Sequence, residues 1–468
     1  MKRTGYKSTP RVGTLLLTVI LAGCAVGPDY QQPKEKAVTL SQPLDRALYS
    51  NERLQRDWWR QFQDPQLNRA IEQALSNNQD IQLADARLMA SRAALDRRQL
   101  DRLPTIASSA AYTRSISQAN AGQEGERNGS TQYSGTLDMQ WELDLFGRLR
   151  RLSEAATARS QASADDLVQT QIVVASEVAR HYFLMRGALQ KMNIAREGLV
   201  NRQQAVRLVT AMVAAGRSHD DELASAQAEL ARVQASLAPI TTEYYLARYR
   251  LAVLMGLRPN EVDEMLKATP LPTLVTRLPI GNLSELLRHR PDVASAERAL
   301  AASTADVGVA TADLYPRIDL GGFLGFVAIR GGDIPSSASR AFGIMPSINW
   351  PALHFASVKA QQREAQARQR GQEAQYKKVV LQAIEETEGA LMRYSQSQQR
   401  LEALSEAVSY SRQAANTVES RYRAGEVPFL KYLAAQRIAL SAEDGLVDAD
   451  TDSFINIVGV YKSLGGGW

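Results

Sequence analysis

Between Gln132 and Leu143 the side chains alternate without a slip. Gln132, Ser134, Thr136, Asp138, Gln140 and Glu142 hold the even positions, and Tyr133, Gly135, Leu137, Met139, Trp141 and Leu143 the odd ones. Period 2 marks a strand with one wet and one apolar face. After Gly147 the pattern becomes a proline-free run that passes Gly216 and reaches Ala238. Within it Val178, Tyr182, Met185, Leu189 and Met192 step by four and three, a helix seam. Gly147 to Gly216 is 69 steps, about 100 Å of helix at ~1.5 Å per residue. No single domain core is that large, so such helices must project as a coiled bundle.

The same order occurs twice. At an offset of 212, Leu75, Asp80, Ala84, Asp101, Pro104 and Ile106 meet Leu287, Asp292, Ala296, Asp313, Pro316 and Ile318. Beyond the first hairpin loop the offset is 209: Trp141 and Phe146 meet Trp350 and Phe355, and Ala215-Gly216 meets Ala424-Gly425. One shift that changes once, inside a loop, indicates duplication rather than a many-copy array. Copy one spans 61–257, with a helix from Pro65 to about Leu103, a hairpin at about 104–143 and a turn at 215–218. Its loop Ser117–Ser130, carrying Gly122, Gly125 and Gly129, suits a solvent-facing tip. A Pro-rich connection, 258–281, leads to copy two at 282–463, with a hairpin at about 316–350 and a turn at 424–428. Residues 464–468 form a tail. From Ala356 to Gly425 is again 69 steps, so both long helices reach equally far. Gly187, Gly198, Gly371 and Gly389 are candidate bend points.

Twelve strand residues at ~3.3 Å each, tilted by ~45°, cover roughly 28 Å, close to the ~25 Å apolar band of outer-membrane barrels. One chain supplies four such strands. Even closed barrels of ~8 strands are filled by their own side chains, so an open channel needs roughly three chains.

The N-terminus points the same way. Lys2, Arg3, Lys7 and Arg11 precede an apolar run, Val12–Ala22, too short to span a bilayer as a helix, so residues 1–23 read as a secretion signal. Leu21-Ala22-Gly23-Cys24 resembles the lipobox of bacterial lipoproteins. That likeness implies cleavage before Cys24 and N-acyl and S-diacylglycerol lipid on it. The following Ala25, rather than Asp, implies outer-membrane sorting. Residues 24–60, with Pro28, Pro33 and Pro43, read as an extended lipidated tether. Cys24 is the only cysteine, which excludes disulfides and cysteine-based metal sites.

Other functions are excluded by what is missing. Lys and Arg number 55 against 50 Asp and Glu, so no nucleic-acid footprint is visible. His181, His219, His289 and His354 are scattered without metal-ligand spacing. There is no Gly-rich phosphate loop and no nucleophile elbow, hence no catalytic site. Asp448-x-Asp450-x-Asp452 begins like a calcium loop, but Ser453 and Gly459 occupy the positions that require Gly and Glu.

The chain resembles the TolC-like outer-membrane efflux proteins, in their lipoprotein (OprM/NodT-type) subgroup. The carriers are Cys24-Ala-Val-Gly-Pro28-Asp29-Tyr30, Trp59 with Phe62-Gln-Asp64-Pro65-Gln-Leu67, Leu143-Asp144-Leu-Phe146-Gly147-Arg148, Arg290-Pro291-Asp292, Tyr422-Arg-Ala-Gly425 and Leu464-Gly-Gly-Gly-Trp468. The resemblance implies a mixed fold: long α-helices forming a periplasmic α-helical barrel, plus four strands per chain in a trimeric 12-stranded transmembrane β-barrel. It implies a homotrimeric exit duct in the outer membrane for drugs, dyes, solvents or metals. A periplasmic adaptor and an inner-membrane transporter of RND or MFS type would supply contact and energy. A type I protein-secretion outlet is the alternative within the duct class. A pore-less, lipid-tethered coiled-coil protein is the alternative outside it, but such a protein has no need of two-faced strands.

Two kinds of site follow. Ala215, Gly216, Arg217 and Ser218, and Ala424, Gly425 and Glu426, fall where the long helices turn back. Gly there suits a helix C-cap, and the resemblance makes these turns the tips that adaptor hairpins contact. The resemblance also places a gate near the tips. Tyr422 matches its tyrosine and Glu222 its acidic partner. Val427 stands at the arginine position, and Lys431 and Ala434 stand at the aspartate positions. Lys431 would reverse the local charge preference of an aspartate ring. Asp444, Asp448 and Asp452 repeat every four residues, giving either a solvated helix face or an acidic face lining the lumen.

Overall fold

The computed structural model describes residues 25–33, 41, 43, 45, 47–52, 54–118, 127–262, 266 and 277–466. Cys24 and the signal-like segment lie outside them, as do much of the tether, residues 119–126 of the first loop, most of the Pro-rich connection and Trp468. In order, the described residues form β1 (Tyr49–Ser50), a 3₁₀ turn at Trp58–Phe62, α1 (Pro65–Asn77), α2 (Gln79–Leu100), β2 (Thr105–Gln118) and β3 (Arg127–Leu143). Helices α3 (Arg148–Ala214) and α4 (Asp220–Leu254) complete the first copy. The second holds β4 (Leu278–Pro279), α5 (Leu283–Arg288), α6 (Pro291–Ala312), β5 (Arg317–Ala328), β6 (Arg340–Asn349), α7 (Phe355–Arg423) and α8 (Phe429–Ser463). The chain folds into two compact units that cut across the sequence copies, each drawing segments from both.

One unit holds 88–163 and 295–377 with the first described residues. Its centre is an antiparallel sheet of order β2-β3-β5-β6. The register puts the odd residues of β3 level with even residues of its neighbours: Leu137 faces Ser108 and Leu324, Met139 faces Ile106, Leu324 faces Phe342. Ile106, Tyr112, Ile116, Leu137, Leu324, Phe342, Ile344 and Ile348 therefore share one face, and all are exposed, Phe342 at 79%. The opposite face carries Ser109, Thr136 and Asp138, joined by hydrogen bonds of 2.7–3.1 Å. An apolar band on one side of a sheet, this wide and uncovered, calls for a non-aqueous neighbour. At the foot of the sheet the duplication is visible in atoms. Trp141 Nε1 donates to the Arg102 carbonyl, and Trp350 Nε1 to the Leu314 carbonyl, each at 3.1 Å.

Beside the sheet the first described residues are clamped. Val26 N donates to Phe146 O at 3.1 Å, and the buried Arg151 pairs with Asp29 at 2.6 Å and Glu154 at 2.8 Å. Gly147 has φ +81°, and a Cβ there would meet Ala25 at 2.7 Å, so only glycine admits this approach.

The second unit holds 35–87, 164–294 and 378–468. Its core stacks Trp58 on Tyr461 (5.1 Å between centroids) and Phe183 on Phe454 (4.7 Å). Asp64 caps α1 through Gln66 N and Leu67 N and accepts from the Tyr182 hydroxyl. The Arg290-Pro291-Asp292 motif also belongs to this core. Arg290 bonds Asp292, Glu386 (2.7 Å) and the carbonyl of Ser463 (2.9 Å).

Two sequence expectations change. The helix from Pro65 to Leu103 is two helices, because Asn78 turns extended, accepts from Asp80 N and Ile81 N, and donates to Leu254 O at 2.9 Å. The loop Ser117–Ser130 is shorter than its composition suggests, since pairing carries β2 to Gln118 and starts β3 at Arg127. The candidate bend points Gly187 and Gly198 lie inside α3, and Gly371 and Gly389 inside α7. At Gly187 a Cβ would sit 2.2 Å from Thr451 Oγ1, which makes it a close-packing point between α3 and α8.

Candidate functional site at the helix turns

Both long helices end by the same device. At the first turn Gly216 has φ +69°, Arg217 N donates to Met212 O (2.8 Å) and Gly216 N to Val213 O (2.9 Å). At the second, Gly425 has φ +78°, Glu426 N donates to Arg421 O and Gly425 N to Tyr422 O, both at 2.9 Å. These nested bonds satisfy the last carbonyls of each helix and require a left-handed residue, which glycine supplies without strain. Ala215, Gly216, Arg217, Ala424, Gly425 and Glu426 are exposed, and Ser218 is half-buried.

The two turns differ in charge. The first leads into Asp220, Asp221 and Glu222 at the start of α4, where the helix dipole favours carboxylates. Ser218 Oγ donates to the Glu222 carboxylate. The second follows Arg421 and Arg423 in the last turn of α7, and Arg421 pairs with Glu426 at 3.0 Å.

Sequence reading treats the turns as separate tips; the fold joins them. Val209 from α3, Ala226 from α4 and Phe429 from α8 form one buried cluster, with Val206, Val213, Leu223, Tyr422, Tyr432 and Leu433 packed against it. Tyr422 lies flat on Tyr432, with centroids 5.2 Å apart and an 11° interplanar angle. Its hydroxyl donates to Met212 Sδ at 3.6 Å, across the copies. Glu222 does not bond Tyr422 directly. Burial raises the Tyr422 pKa, and the nearby Glu222 carboxylate raises it further. Val427 is buried, while Lys431 is exposed with no ion-pair partner among the described residues. Tyr432, the stacking partner, carries no period or motif that sequence reading could have used.

The three aspartates of α8 are not alike. Asp448 pairs with Lys191 at 2.5 Å and Asp452 with Arg400 at 3.0 Å. Cations of the neighbouring helices answer two of the three, and Asp448 and Asp452 each stay about half exposed. Asp444 makes no ion pair among the described residues, and burial holds its pKa above the usual aspartate value. No group of His, Cys, Asp and Glu among the described residues could hold a metal ion, and no described helix is long and apolar enough to cross a membrane.

Comparison with known proteins agrees with this architecture. The family described as outer membrane efflux protein matches residues 70–257 and 282–466, one stretch in each sequence copy. Outer membrane protein OprJ of Pseudomonas aeruginosa is 28% identical over 98% of this chain and 96% of its own length. The antibiotic efflux pump outer membrane protein ArpC of Pseudomonas putida is 30% identical over 96% and 94%. The solved structure of the outer-membrane channel OprN superposes with a TM-score of 0.92 at 43% identity, over 95% of this chain and all of that one. With a sheet faced for lipid and paired long helices, the chain belongs to the outer membrane efflux protein family and is an efflux channel of the outer membrane.

Proposed function

We propose that three copies of this chain form one duct, anchored by lipid on Cys24, which passes small toxic compounds outward from an inner-membrane transporter through a periplasmic adaptor. The observation that carries the trimer is the sheet: four strands with an exposed apolar face and two edges, β2 and β6, that no other described strand covers. Unpaired edges in lipid are untenable, and closure by copies of the same chain removes them. Antibiotics are the cargo class the ArpC name supports. An inner-membrane pump of RND or MFS type is the energy source.

The exposed turns are the surface offered to the adaptor, six per trimer in two alternating kinds. The Tyr422–Tyr432 stack, with Glu222, is the gate that controls passage beside them. The test joins assembly to contact. The purified protein should migrate as a heat-modifiable trimer and form pores in planar bilayers. Gly216→Asp and Gly425→Asp should abolish adaptor cross-linking and drug export without dispersing the trimer. A poreless monomer would overturn the duct reading, and unchanged cross-linking and export would overturn the docking reading.

A further inference from the structure

The buried seam of α3 above the turn steps through Gly198, Arg202, Ala205 and Val209. Three are small or apolar; the fourth is a guanidinium, Arg202, with a side chain only 2% exposed. Nε, Nη1 and Nη2 of Arg202 are all buried without a hydrogen-bond acceptor among the described residues. The nearest carboxylate, Glu229 on α4, is 3.9 Å away and accepts its hydrogen bonds from Arg232 instead, at 3.0 and 2.7 Å. The other buried arginines each have at least one hydrogen-bonded partner. Arg151 and Arg290 hold carboxylates, and Arg186 donates to the Tyr182 hydroxyl. Arg202 is an exception beside the aromatic cluster of the turns, where the Tyr432 phenol, also in electrostatic reach of Glu419, feels its charge. Burial lowers the pKa of its guanidinium, the direction expected of a desolvated cation.

A buried charge with no acceptor is costly, and replacing it by an apolar group of similar volume is commonly neutral or stabilising. Arg202 therefore opposes the packing that encloses it. We propose that Arg202 is a built-in release element of the gate: its desolvated guanidinium destabilises the packed turn, and withdrawal of α8 from α3 and α4 lets it hydrate. Glu229 partly offsets the burial and so acts in the opposite sense, holding the turn shut. The proposal rests on the gate reading above and assigns it an energetic bias that neither Tyr422 nor Lys431 supplies.

Opposite signs make it testable. Single-channel recording on the full-length trimer should show that Arg202→Met lowers open probability by at least about tenfold, a conservative part of what an uncompensated buried charge costs. Glu229→Gln should raise open probability, and Arg202→Met with Glu229→Gln should match Arg202→Met alone, because the bonds of Glu229 to Arg232 stay within α4 and its pull on α3 is exerted on Arg202. An unchanged or raised open probability for Arg202→Met overturns the proposal, as does a Glu229→Gln effect that persists without Arg202. Failure of Arg202→Met to assemble as a heat-modifiable trimer also overturns it, since a charge that opposes packing is not needed for assembly. Tyr422→Ala separates the readings. If it too leaves gating unchanged, the gate is elsewhere; if it alone alters gating, only the role of Arg202 is wrong.

Discussion

Gly187→Ala sets two well-sized effects against each other. Gly187 lies inside α3, where alanine is favoured over glycine by roughly 0.5–1 kcal/mol through backbone entropy. Against that, the new methyl would stand 2.2 Å from Thr451 Oγ1, 3.0 Å from its Cγ2 and 3.1 Å from its Cβ. Thr451 cannot turn away freely. It is 7% exposed, and its hydroxyl donates to the Val447 carbonyl at 2.8 Å. Overpacking of this kind costs about 1–3 kcal/mol, so the methyl loses and the variant is less stable by ~1–2 kcal/mol. Thr451→Ala removes the two closer contacts and leaves one that a shift of a few tenths of an ångström relieves. In that background the Gly187→Ala penalty should shrink by about 1–2 kcal/mol, a coupling well above the limit of additivity. Urea unfolding of the detergent-solubilised protein, followed by far-UV circular dichroism, gives the four corners of the cycle. Gly371→Ala is the control: no atom lies within 4 Å of its Cβ position, and it should be stabilising. Additive effects of Gly187→Ala and Thr451→Ala would refute the close-packing argument, and a stabilising Gly187→Ala in the native background would refute its magnitude.

Two further outcomes follow from buried charges. Burial raises the pKa of Asp450, so the folded state holds its proton more tightly than the unfolded chain. A raised folded pKa contributes stability that is present below the unfolded value, ~3.9 for aspartate, and is lost as pH rises through the folded one. Asp450→Asn should therefore raise the unfolding midpoint at neutral pH, with the gain fading as pH falls into the ordinary carboxylate range; a pH-independent gain would contradict this. Arg290→Ala strips the Ser463 carbonyl and two carboxylates of their shared donor. Because both carboxylates keep some water, its cost is about 2–4 kcal/mol rather than the full value of an enclosed pair, readable in the same unfolding assay with Arg290→Lys intermediate.

What the sequence determined by itself is whatever depends on local periodicity and backbone sterics. Alternation from Gln132 to Leu143 set which side chains share the apolar face, because successive strand residues point to opposite sides whatever they meet. The copies aligned at 209 and 212 foretold that Trp141 and Trp350 would be equivalent, and both anchor on matching carbonyls. Gly216 and Gly425 could be placed as turns because a left-handed cap favours glycine before any tertiary contact forms. The tertiary structure decided what depends on a partner from far along the chain. Asn78 breaks a helix-competent stretch because the Leu254 carbonyl meets its side chain. Polar residues at 127–130 become strand because β2 supplies the ladder. Asp448 and Asp452 find their partners in Lys191 and Arg400, distant in sequence. Arg202, one arginine among many in a long helix, becomes singular only when α4 and α8 enclose it, since desolvation is a property of the surroundings and is written in no single segment.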